Sequence, residues 1–206
     1  MLLGLFFIRS RNYLLTKLNP FATFESMGQS TIYSALIHKR EWPELLQEVP
    51  AKTRPKQLFA SGSLPPTDAL IVAVVGTRHP SAYGKDAAYE ISRALAEKRI
   101  VIASGMALGI DSIAHRAALE ANTPTIAVLG SGINESVIYP KENIELAKKI
   151  VASGGALISE YKQDQKPELW TFPQRNRIIA GIAKAVIIIE AGEKSGIELK
   201  GIKAIN

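Results

Sequence analysis

At 206 residues, 47% of them hydrophobic and 21% charged, the chain has the make-up of one globular α/β domain with a short appendage, long enough to bury a sizeable core. The absence of cysteine excludes a disulfide framework, a thiolate metal site and a cysteine nucleophile, and suits a reducing cytoplasm. A net charge of +6 invites a nucleic-acid partner, yet residues 1–56 carry 8 Lys/Arg against 4 Asp/Glu while 57–206 carry 17 against 15, so phosphate binding by the main domain has to come from local placement.

The opening "MLLGLFFIRSRNYLL" holds an apolar run too short to span a bilayer, and Arg9 and Arg11 follow it instead of preceding it. No small-residue cleavage site comes next, so neither a signal peptide nor a membrane anchor is expected. Residues 1–40 read as a leader with a short helix around 32–38. Pro50, Pro55 and "SGSLPPTD" at 61–68 mark connectors, dividing the chain into an N-terminal leader and extension (1–68) and a main domain (69–206).

From Leu70 onward, short apolar runs alternate with segments of helical period. "IVAVVG" (71–76), "IVIA" (100–103), "TIAVLG" (125–130), "ALIS" (156–159) and "AVIIIE" (185–190) read as strands buried on both faces. Between the first two, Ala88, Ile91, Leu95 and Lys98 share one helix side. Ile110, Ile113, Ala114, Ala117 and Ala121 do the same after the second, and Ile144, Ala147 and Ile150 after the third, where Pro140 suits a first helical turn. This order predicts an α/β fold with a Rossmann-like, mostly parallel sheet and flanking helices.

In such sheets ligands bind at the loops leaving the carboxyl ends of the strands. Here these are "GTRHPSAYG", "SGMALGID", "GSGINESVIYP", "EYKQDQKPELWTFPQRNR" and "EAGEKSG". Ser104, the amides around Gly105 and Gly109, and Arg78 are expected to form a phosphate cradle at the start of the next helix. The other reading of the same glycines is tight packing alone. "GSG" at 130–132 completes no dinucleotide fingerprint, and no nucleophile, base and orienter set suggests catalysis. Asp111 and His115, four apart on a helix, are placed to pair, while His38 and His79 are expected in solvent.

"LWTFPQRNR" interleaves aromatic rings with bases, as single-stranded nucleic acid requires: rings for stacking, cations for phosphates. Phe172 reads either as a stacking face or as a core plug, with Pro173 opening the next helix. Arg175 needs a partner if buried, either a phosphate or an internal carboxylate such as Asp111, Glu160 or Glu190.

Six stretches, "VVGTRHPSAYG" (74–84), "IASGMALGIDSIAHRAAL" (102–119), "TIAVLGSGINESVIYP" (125–140), "GALISEY" (155–161), "FPQRNRIIAG" (172–181) and "VIIIEAGEKSG" (186–196), occur in the order found in the DNA-processing protein A (DprA/Smf) family, which the chain resembles. The resemblance implies a non-enzymatic, sequence-independent single-stranded DNA-binding protein, without metal or organic cofactor. By the same likeness it is a homodimer that assists loading of RecA recombinase in natural transformation and recombination. Carried over by position, Arg78 matches a phosphate-contacting arginine, and Ser104, Gly105 and Gly109 fall in a glycine-rich binding loop. Phe172, Arg175, Asn176 and Arg177 match the signature along the DNA pocket, and Lys194 and Ser195 lie in a loop on the same edge. Many relatives carry a lysine before "FP" where this chain reads "ELWTFP", so that phosphate contact is either missing here or supplied by Lys162 or Lys166. The ending "IELKGIKAIN" replaces the further helix, strand and helix of the family, whose last sheet elements are therefore expected to be missing.

Two other classes compete with this reading. A nucleotide binder or nucleoside-monophosphate phosphoribohydrolase-like enzyme on a related scaffold needs a "PGGxGT"-like loop where "EAGEKSG" stands. A shortened, weakly folded chain without DNA activity is the third.

Overall fold

A computed structural model describes residues 4–7, 32 and 35–191. Five strands carry the apolar runs: β4 (Ile71–Gly76), β5 (Val101–Ser104), β6 (Thr125–Val128), β7 (Ala156–Ser159) and β8 (Ala185–Ile189). They pair in parallel in the order β8-β4-β5-β6-β7. The mostly parallel sheet expected from the sequence is therefore present. Three antiparallel strands extend it: β1 (Gly4–Phe7) pairs with β8, and β3 (Phe59–Gly62) with β2 (Ala35–Leu36) adds to β7.

One expectation changes at the N-terminal side. Residues 35 and 36 form a strand, followed by a 3₁₀ turn at Lys39–Glu41, where a helix around 32–38 was expected. The 68/69 boundary falls inside one continuous sheet, because β2 and β3 lie before it and β4 after it. Trp42 and Leu46 pack with Ile71 and Ile178 in a single core cluster, Leu46 from the short helix α1 (Glu44–Glu48). Apolar area shared across that line couples the two segments, each buried Leu or Ile contributing roughly 1.5–3 kcal/mol.

Strand alternation decides which helix covers which face. Val72, Val74, Ile102, Ile187 and Ile189 meet α2 (Ala82–Glu97) and α3 (Ile110–Glu120), and Ala127 and Leu157 meet α4 (Ile144–Ala152) on the same side. Ala73, Ala103, Val128, Ile158 and Ile188 meet α1 and α5 (Thr171–Ile182) on the other. Small residues Gly84, Ala88, Ser92 and Ala96 bury the inner side of α2, whereas Lys98 is exposed just beyond its end. Because α2 leaves β4 on one face and α5 leads into β8 on the other, the carboxyl ends of β4 and its neighbours are where a ligand of such a sheet is expected.

Candidate nucleic-acid interface

Helix α5 starts at Thr171, so Phe172 to Arg177 occupy its first two turns and are not loop residues as the sequence suggested. Pro173 fits there because first-turn amides lack an intrahelical partner anyway. The Thr171 hydroxyl donates to the Gly130 carbonyl and accepts from the Glu168 N–H at 3.2 Å, pinning the helix start to the end of β6.

The two arginines of this helix have different partners. Arg175 is buried at 5% exposure, and its Nη1 donates to the carbonyls of Gly105 and of Val128, the latter at 2.6 Å. Its Nε reaches Asn176 Oδ1 at 3.2 Å. Burial lowers its pKa while the charge of Asp111 opposes that shift. The Asp111 carboxylate accepts from the amides of Gly105 (3.1 Å) and Ala107 (3.3 Å); burial raises its pKa against the pull of Arg175 and those amides. Arg177 instead donates from Nη2 to Glu160 Oε2 at 2.5 Å.

These contacts redraw the expected phosphate cradle. Ser104 is fully buried and its hydroxyl donates to the Val74 carbonyl at 2.6 Å. Two amides at the start of the α3 loop already serve Asp111. Gly105 gives up its side chain to Arg175, since a Cβ there would lie 2.3 Å from Nη1. Gly109 has φ +77° and its backbone lies under Thr77, which accepts the Ile110 N–H at 3.2 Å. Asp111 and His115 have separate partners, His115 bonding Thr125 Oγ1 at 2.8 Å.

The other helix start on this rim is also occupied. Ser81 caps α2 by accepting from the Gly84 N–H, and Glu190 accepts from both the N–H (2.8 Å) and the hydroxyl of Ser81. These bonds lower the Glu190 pKa. A Cβ on Gly84 would lie 2.3 Å from the same carboxylate, so an internal anion fills the position that a nucleotide phosphate takes in many Rossmann-like proteins.

Exposed chemistry collects along the rim beside these occupied positions. Arg78 is exposed, with its guanidinium carbon 5.5 Å over the Phe172 ring. The ring of Tyr139, 48% exposed, lies 5.8 Å from Phe172. Trp170 stands 57% exposed against Tyr161, and Lys162 and Lys166 are exposed on the β7 loop. His79 is exposed here and His38 on the far edge, as expected. Sequence reasoning missed Tyr139 and the Ser81–Glu190 contact; an aromatic residue in a strand-end loop was the available signal for the first. Lys194 and Ser195 lie outside the described residues.

The chain matches the family described as DNA recombination-mediator protein A over residues 34–202. Among curated relatives it is 40% identical to Protein Smf of Synechocystis over 87% of this chain and 45% of that protein. It is 36% identical to the DNA processing protein DprA of Bacillus subtilis over 89% of this chain and 60% of that one. The chain thus spans about half the length of these relatives. The DNA processing protein A of Helicobacter pylori, whose structure was described for its single-stranded DNA binding mode, superposes with a TM-score of 0.70 at 34% identity, covering 79% of this chain and 72% of that one. That of Streptococcus pneumoniae gives 0.68 at 36% identity, covering 82% and 57%. With its sheet order, its rim motifs and these matches in agreement, the chain belongs to the DNA recombination-mediator protein A family.

Proposed function

We propose that this chain binds single-stranded DNA along the carboxyl-end rim, without reading base sequence, as part of a recombination-mediating activity. The observation that carries the proposal is the exposed Arg78 guanidinium held over Phe172. A cation on a ring shelf beside further rings suits a strand whose phosphates and bases are both accessible. Arg78 makes the phosphate contact. Ser104, Gly105, Gly109, Arg175, Asn176 and Arg177 shape and stiffen the wall behind it. Family membership supports extending the proposal to handing the strand to RecA recombinase, acting as a homodimer and working in the cytoplasm; among the described residues no helix is long and apolar enough to cross a membrane.

A nucleotide enzyme fits less well, because Asp111 and Glu190 hold amides at the starts of α3 and α2 that a nucleotide phosphate would use. Salt-titrated binding of single- and double-stranded oligonucleotides tests the proposal. Preference for the single strand is expected, with log affinity falling against log salt by about 0.7 per neutralised phosphate. Equal affinity for both forms, or full affinity in Arg78→Ala, overturns it.

A further inference from the structure

The rim holds a second aromatic surface that the Arg78–Phe172 pair does not use. Phe172 has its ring largely engaged: Arg78 stands over it, Tyr139 lies at 51° to it, and Gly130 is packed so close that a Cβ there would come within 2.7 Å of Cδ1. Trp170 differs on each count. It is the residue that opens α5, it is 57% exposed, and its neighbour Leu169 is 90% exposed. Beneath it Tyr161 stands nearly perpendicular at 82°, with ring centroids 5.9 Å apart. Tyr161 is itself buried and donates its hydroxyl to Gln174 Oε1 at 3.1 Å, so the indole leans on a fixed support.

We propose that Trp170 is a stacking platform for an unpaired nucleobase, two residues along the chain from the Phe172 of the Arg78–Phe172 pair. This rests on the single-stranded DNA reading and adds to it a division of labour: Arg78 on its phenyl shelf holds the backbone, and the indole holds a base. Every nucleobase has a π-face, so the platform accepts any base and contributes affinity that salt does not screen. A local charge balance as even as this domain's makes such a contribution important.

The test uses the two tryptophans of the chain. Trp42 is buried in the core at 1% exposure, so a change of tryptophan emission on adding an oligo-dT strand of about 12 nucleotides reports Trp170. Emission is expected to fall on binding. Trp170→Ala is expected to weaken binding between about fivefold and 150-fold at an unchanged salt slope, while Trp170→Phe keeps most of the affinity. An abasic sugar-phosphate strand of the same length is expected not to distinguish the unaltered chain from Trp170→Ala. Oligo-dT binding with unaltered emission, full affinity in Trp170→Ala, or an equal loss on the abasic strand overturns the platform and leaves the DNA-binding reading standing. Failure of the unaltered chain to bind oligo-dT at low salt overturns both.

Discussion

The guanidinium of Arg175 occupies the space that a side chain on Gly105 would need, 2.3 Å from the position of such a Cβ, and it donates to the carbonyl of the same residue. A loop glycine and a helix arginine 70 residues apart are thereby fitted as one part. Gly105→Ala is expected to destabilise the fold by about 1–3 kcal/mol, because the methyl must displace a buried charged group. Arg175→Ala is expected to cost about 1–3 kcal/mol, since it takes the donor from the buried carbonyls of Gly105 and Val128 and removes the positive charge that acts on the buried Asp111 carboxylate. Denaturant melts of both variants check this.

Arg78 and Arg175 are expected to separate cleanly in a pair of assays. Arg78 is exposed, so Arg78→Ala should leave stability within about 0.5 kcal/mol of the unaltered chain. Its single-strand affinity should fall, and the salt slope should drop by about 0.7 for the lost phosphate contact. A thermal melt and a salt titration of the same preparation give both readings.

The Arg177–Glu160 pair ties α5 to the end of β7, with the two side chains only 25% and 12% exposed. A double-mutant cycle with Arg177→Gln and Glu160→Gln is expected to give a coupling energy of about 0.5–3 kcal/mol by urea unfolding. Additive effects would show that the two side chains contribute independently.

His115 makes stability depend on pH. Thr125 donates its hydroxyl to the Ile102 carbonyl at 2.7 Å, so its oxygen must accept from His115 Nδ1–H, and Nε2 is left bare in the interior. Burial first, then the charges of Arg175 and Arg116, lower its pKa from 6.5 to about 3. The unfolded chain therefore binds the extra proton between these values. Stability is full above pH 6.5 and falls as the pH drops toward 3, by about 2 kcal/mol between pH 7 and pH 5 from this group. Asp111 acts with the opposite sign, because its carboxyl is raised by burial and the folded state holds that proton more tightly. Subtracting the curve of His115→Gln from that of the unaltered chain isolates the histidine.

The central strands and the helices between them were legible because apolar periodicity is a local property: "ALIS" is β7 to the residue. The helix expected at 32–38 failed because short apolar runs do not distinguish a helix turn from an edge strand, and pairing with β3 chose the strand. Residues 172–177 were misplaced into a loop because capping signals were weak: the residue before the helix is Trp170, which offers no side-chain cap.

By itself the sequence determined the fold class, the family and the rim on which the unusual residues gather, since each is written in local pattern and ordered motifs. Only the tertiary structure decided which of the charged groups meet one another. Arg78, Arg175 and Arg177 are chemically identical along the chain. Folding buries one against two carbonyls, pairs the second with Glu160 and leaves the third over a phenyl ring at the surface. Burial and partner choice arise from contacts between residues far apart in the chain, and these assign each arginine its work.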